Sequence, residues 1–319
     1  MCLYSKMIKN PKYKPNKKNN NTPPMFKDIR TLLIPIACGR CKECAKKKAN
    51  NWRIRLYEDV QNQKEYGKAY FVTLTFNTES LQELSNLTNN IKNIYDKDNA
   101  IATIAVRRFL ERWRKEFKRS IRHWLVTELG GEYSQHLHLH GIIYTNENFE
   151  KVRKHWKYGY VYPTKQTVKY NHVNRTTINY IIKYCTKIDK KHIYYKPIIL
   201  CSSGIGKNLN IRERISRSEE KYITREGHKI GLPTYYRNKL YNEEEREANY
   251  IKKLDKGIRY INGIAVKNTE IERINLLIKQ AQHNSEEDGF LGDKYSYKQK
   301  EEEEKQIWLL RNKRLGNLK

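Results

Sequence analysis

Apolar and polar residues alternate along Tyr70-Phe71-Val72-Thr73-Leu74-Thr75-Phe76, a β-branched and aromatic run whose twofold period predicts a strand. Residues 77–99, rich in Ser, Asn and Thr, predict a loop with a short helix. The period then changes. From 101 to 122, Ala105, Phe109, Trp113, Phe117 and Ile121 recur at helical spacing with Val106 and Leu110 beside them, which predicts an amphipathic helix. His123 to Glu128 predicts a second strand, Gly130-Gly131 a turn, Leu137 to Tyr144 a third strand and Tyr158 to Pro163 a fourth. Residues 176–188 return to helical spacing, with Ile178, Ile181, Ile182 and Cys185 on the buried side. This order predicts an α+β domain over residues 51–205, an antiparallel sheet backed by helices. Residues 1–50 are expected to form a basic arm and a Cys-rich segment, and residues 206–319 a mainly helical, charged C-terminal region with acidic runs at Glu243-Glu244-Glu245 and Glu301 to Glu304.

Alternation also sorts chemistry. In His136-Leu137-His138-Leu139-His140 the histidines point to one face of a strand and the leucines to the other. A regular hairpin through Gly130 to Gln135 sets Glu128 opposite His138, so a carboxylate joins the imidazoles. Two histidines and a carboxylate make a facial site for magnesium or manganese, with positions left for substrate oxygens. The plainer alternatives are a polar strand face that happens to hold histidines and a zinc site of other purpose. On the helix that follows, Tyr180, Lys183, Tyr184 and Lys187 share about a third of the circumference. A free phenol, with a pKa of about 10, is a poor nucleophile, and neighbouring ammonium groups favour its phenolate and steady a phosphate. Because the chain has 24 tyrosines, such a face can arise by composition alone. Its coupling to the histidine strand favours the nucleophile.

Charge names the partner. The 319 residues include 64 Lys and Arg against 35 Asp and Glu, a net charge of +29, which attracts a polyanion, and nucleic acid is the usual one. Candidate DNA contacts are Lys46, Lys47, Lys48 and Arg53 at the start of one helix, and the basic face with Arg108, Arg112 and Lys115 on the longer one, where Glu111 and Glu116 are too few to pair with it. Residues 9–24, all but lacking residues to bury, read as a mobile basic arm. Cys38, Cys41 and Cys44 offer three soft ligands on one loop, and Cys2 is the candidate fourth for structural zinc, Cys185 being better placed in the core and Cys201 far away. Reduced thiols in a basic loop are the alternative. With neither a secretory signal nor an apolar stretch of about 18 residues, the chain is expected in the cytoplasm and off the membrane. Ser203-Gly204-Ile205-Gly206-Lys207 lacks the spacing of a phosphate loop and is read as a turn.

Taken in order, these motifs resemble the HUH endonucleases, in particular the replication initiators of microviruses, and most closely the gokushovirus-like branch of these single-stranded DNA phages. Phe71-Val72-Thr73-Leu74-Thr75 resembles the family's first motif, His138-Leu139-His140 with Glu128 the metal-binding second, and Tyr180-Ile181-Ile182-Lys183-Tyr184-Cys185-Thr186-Lys187 the two-tyrosine third. The cysteine segment with Trp52, and Leu232-Pro233-Thr234-Tyr235-Tyr236, are similar to further segments of these proteins. His136 departs from the pattern, standing where many relatives approach the histidine pair through arginine or proline. The resemblance implies a ferredoxin/RRM-like fold and a divalent metal at Glu128, His138 and His140. It also implies a rolling-circle initiator that nicks and rejoins origin DNA through a 5′-phosphotyrosine, in the bacterial cytoplasm, with single-stranded and replicative-form phage DNA and host helicase and polymerase as partners. Other readings are a plasmid replication or mobilisation nickase, a non-catalytic zinc-containing nucleic-acid-binding protein, and a zinc nuclease that uses water. Mobilisation relaxases carry their tyrosine before the histidines, whereas here it follows.

Overall fold

The computed structural model describes residues 1–61, 63–130, 136–207, 213–217 and 219–314. In chain order, β1 (Lys6–Lys9) and β2 (Leu33–Ile36) precede α1 (Lys42–Val60), α2 (Gln63–Tyr66), β3 (Lys68–Thr75), α3 (Thr78–Asn86) and α4 (Ile94–Phe117). There follow β4 (Arg122–Leu129), β5 (Leu137–Thr145), α5 (Glu150–His155), β6 (Val161–Tyr162), α6 (Arg175–Tyr184) and β7 (Ile199–Cys201). The remainder comprises β8 (Ile215–Ser216), β9 (Lys221–Ile223), β10 (Lys229–Gly231), α7 (Thr234–Leu240), α8 (Glu243–Asp255), β11 (Ile258–Ile261), β12 (Ile264–Lys267), α9 (Ile271–Glu287) and α10 (Tyr297–Arg314). None of the described helices is long and apolar enough to cross a membrane.

Two compact units are built from non-consecutive segments, one from Met1–Asn51 with Ile215–Tyr295 and the other from Trp52–Arg214 with Ser296–Lys319. This differs from the expected division at residues 50 and 205. The segment before α1 has too few apolar residues to bury alone, and its Leu3 and Cys41 share a core with Ile261, Val266, Ile274 and Ala281 from β11, β12 and α9. Residues 9–24 are not a mobile arm. Tyr13 is buried, its hydroxyl bonds Thr31 Oγ1 at 3.1 Å and Glu247, and Lys12 pairs with Glu247 at 2.8 Å. Nor is the region after 205 only helical, since it contains the sheet β10-β9-β8 and the hairpin β11-β12.

The unit containing the histidines is α+β, with a five-stranded sheet ordered β6-β3-β5-β4-β7 and antiparallel throughout, consistent with a HUH endonuclease-like fold. β5 lies at its centre, with β3 and β4 as its neighbours. Strand alternation gives the sheet two faces. Leu125, Thr127 and Leu139 are completely buried on the face covered by α4, where Thr127 Oγ1 donates to Asn99 Oδ1 at 3.0 Å. Phe71, Thr73, Glu128, His138 and His140 project from the opposite face, towards α6. Each fully buried Leu, Ile or Phe contributes about 1.5–3 kcal/mol, so the apolar layer behind the histidines is what fixes their strands.

Gly141, directly after His140, has its own reason to be glycine. A Cβ there would lie 2.0 Å from the backbone oxygen of Trp124, and that contact is backbone on a central strand. Gly141→Ala is expected to cost about 1–3 kcal/mol through forced separation of β4 and β5. A thermal melt indistinguishable from that of the unaltered protein would contradict this.

Two helices differ from their expected limits. α4 starts at Ile94, inside the stretch expected to be loop, because its first turns pack against α10. There Arg311 binds both oxygens of Asp98 at 2.9 Å, and Tyr95 bonds Glu303. That partner lies about two hundred residues away in sequence, beyond the reach of local periodicity. α6 ends at Tyr184, so Lys187 belongs to the turn that follows it and not to the helix. Residues 203–206 form the expected turn, and Asp59 accounts for its amide: buried Asp59 accepts from the Gly206 N–H at 2.7 Å while binding Arg122 through both oxygens. A carboxylate in that position excludes a phosphate by charge. Gly131 and the expected hairpin turn as far as Gln135 lie outside the described residues.

Candidate active site

The register places Glu128 of β4 opposite His138 of β5, and Thr73 of β3 opposite His140. His140 Nε2 lies 2.8 Å from Glu128 Oε2, and its Nδ1 lies 3.0 Å from Thr73 Oγ1. The His138 ring is parallel to that of His140, with centroids 6.2 Å apart, and its Nδ1 lies 2.5 Å from the carbonyl oxygen of His136. Each imidazole thus has Nδ1 held by a neighbouring oxygen and Nε2 left to meet a carboxylate or a ligand, the outer-sphere arrangement by which proteins orient metal-binding histidines. His136 precedes β5, is exposed and contributes its backbone to that arrangement.

α6 supplies the other half. Ile178, Ile181 and Ile182 are buried beneath it, and Asn174 caps its first turn by accepting from the Thr177 N–H at 2.9 Å. This seats Tyr184 flat on His140, ring centroids 4.2 Å apart and planes within 9°. Tyr184 Oη donates to Tyr180 Oη at 2.6 Å, and Tyr180, 48% exposed, meets the edge of Phe71. Lys183 is exposed on the same helix. Lys187 Nζ reaches Glu128 Oε1 at 2.5 Å, so one carboxylate joins the lysine to the histidine.

The electrostatics follow from these contacts. Burial acts to raise the Glu128 carboxyl, but hydrogen bonds from His140 and Lys187 outweigh it and hold the group below the usual carboxylate range. The bond to Glu128 raises Lys187. Burial lowers His138, keeping its imidazole neutral as a ligand must be. Burial, then the bond to Tyr180, raises the Tyr184 phenol.

Sequence reasoning missed Thr73 and Phe71 as parts of the site, although twofold alternation along β3 puts both on the histidine face. The basic face of α4 is less open than expected. Arg108 pairs with Glu83 at 3.0 Å, and Arg112 donates to the His155 carbonyl at 2.9 Å and lies over the Tyr158 ring. Glu116 is bound by Lys151 and Lys154, and α4 lies behind the sheet from the tyrosines; Lys115 is exposed. Arg53 is partly buried, and its neighbour Arg55 lies over Trp52 and donates to the Ile205 carbonyl.

The four cysteines do come together. The sulfurs of Cys2, Cys38, Cys41 and Cys44 lie within 4.8 Å of one another, the one such group of three or more metal-ligating side chains among the described residues. Cys38 and Cys44 are 3.9 Å apart, and backbone amides donate to sulfur: Cys38 N–H to Cys2, Arg40 N–H to Cys38. This set could hold a metal such as zinc, whose tetrahedral thiolates sit about 3.8 Å apart.

Residues 69–189 match the family model for replication-associated protein ORF2 and its relatives. The match runs from β3 past Lys187 and so contains the histidines, Glu128 and both tyrosines, and it supports a replication-associated function. No curated protein and no solved structure matches the chain.

Proposed function

We propose that this protein initiates rolling-circle replication by nicking and rejoining single-stranded origin DNA through a tyrosine. The reading is carried by one juxtaposition: two hydrogen-bonded phenols, one stacked on His140, beside a carboxylate and two imidazoles whose Nδ1 atoms are already held. Tyr180 Oη attacks the scissile phosphorus, the bond to the 3′-oxygen breaks, and a 5′-phosphotyrosyl ester forms. The phenolic proton passes to solvent and the departing 3′-oxygen takes one up. Tyr184 favours this by donating to the Tyr180 oxygen, which stabilises the Tyr180 phenolate, so Tyr180 acts first. Lys183 and Lys187 steady the phosphate charge. The bond energy is kept in the ester, and a 3′-hydroxyl can reclaim the phosphate without ATP. A magnesium or manganese ion bound by Glu128, His138 and His140 would supply charge neutralisation at the phosphoryl oxygens.

The order of the motifs supports a microvirus-type phage initiator, working in the bacterial cytoplasm with host helicase and polymerase. A denaturing gel after incubation with single-stranded origin DNA and manganese tests the reaction. The expected result is a slow protein–DNA species, lost in His138→Ala. Cleavage without that species would favour a water nucleophile, and binding without cleavage a non-catalytic module.

The cysteines hold structural zinc on this reading, joining the chain's first residues to the start of α1. Metal analysis of the purified protein is expected to give about one zinc per chain, lost in Cys41→Ser. Unchanged zinc content in that variant would refute the site.

A further inference from the structure

The first unit contains a cavity of about 970 Å³ walled by α1, β9, β10, α8 and the hairpin β11-β12. Eight lysine and arginine side chains line it against three glutamates. Those glutamates are already matched, Glu43 by Lys46, Glu219 by Lys229 and Glu220 by Lys253. Lys47, Lys221, Arg237, Lys252 and Lys256 remain with no carboxylate in salt-bridge range among the described residues. The Nε of Arg237 is buried without a hydrogen-bond partner among those residues. So many like charges around one concavity repel each other unless an anion with several charges shares it. The wall also carries an aromatic ring and an apolar side chain in the open: Tyr260 is 57% exposed, with the Lys221 ammonium 5.6 Å from its ring centre, and Ile258 is 44% exposed.

A basic groove interleaved with an exposed aromatic ring is how proteins hold a single strand, phosphates on the cations and a base on the ring. We propose that this cavity is a second DNA site, separate in residues from the tyrosine site, that binds single-stranded DNA with its phosphates on Lys47, Lys252 and Lys256 and a base stacked on Tyr260. The choice of DNA rests on the replication reading above, whereas the charge and the ring stand independently of it. The binding segments are far apart in sequence, at the start of α1 and in α8 to β11.

The test is fluorescence anisotropy with a short labelled oligothymidylate and the full chain carrying Tyr180→Phe and Tyr184→Phe, in which no covalent adduct can form. A failure of the nicking reading therefore leaves this measurement intact. Tyr260→Ala in that background is expected to weaken binding about ten-fold with the salt dependence unchanged. Lys252→Gln/Lys256→Gln is expected to weaken it and to reduce the slope of log affinity against log salt by about two. All three side chains are exposed, so melting temperatures should not move. Affinity and slope within about two-fold of the parent in both variants would overturn the proposal, as would tighter competition by oligouridylate or equal competition by a blunt duplex.

Discussion

Tyr180→Phe should abolish the first cleavage, lowering the rate of adduct formation by roughly a thousand-fold or more, as loss of a covalent nucleophile does. Tyr184→Phe should behave differently. It removes one hydrogen bond to the Tyr180 oxygen, so the first cleavage should slow by only about ten-fold, the effect of one favourable contact to a developing charge. Transfer of the strand to a second phenol should be lost altogether. The asymmetry has a structural cause: Tyr184 lies flat on His140 with its phenol raised by burial, while Tyr180 is half exposed and accepts the bond. Single-turnover assays on an origin oligonucleotide separate the two variants. Equal loss in both would assign the phenols one joint role, and a larger loss in Tyr184→Phe would reverse their order.

Glu128→Gln is expected to have the second large effect. The substitution keeps the shape but removes the charge that His140 and Lys187 now share. Manganese affinity, read by calorimetry, should fall by roughly a hundred-fold or more, since loss of an outer-sphere partner alone costs about 10- to 100-fold. Thr73→Val tests the outer sphere directly. It deletes the hydroxyl beside His140 Nδ1 and should weaken manganese about ten-fold without touching a ligand. Retained manganese affinity in Glu128→Gln would mean that the carboxylate serves Lys187 instead of a metal.

Much of this site could be read from the chain because it depends on short periods. Alternation of two put His138 and His140 on one face, and the hairpin register set Glu128 opposite His138. Helical spacing put Tyr180 and Tyr184 one turn apart, where their hydroxyls bond. The parts that sequence left out depend on contacts across long separations. The start of α4 is held by Arg311 and Glu303 of α10, and the segment before α1 is ordered by Glu247 of α8. Arg112 had the same local signature as any surface arginine, and its use within the fold became visible only with Tyr158 and the His155 carbonyl beside it. Lys187 reached the site although α6 ends at Tyr184, because the turn after the helix folds back towards Glu128.

The most direct measurement is mass spectrometry of the protein after reaction with single-stranded origin DNA and nuclease trimming. A peptide spanning α6 that carries a nucleotide 5′-phosphate on Tyr180, with the modification moving to Tyr184 only after strand transfer, is the predicted result. Cleaved DNA with no nucleotide on either tyrosine would contradict the account.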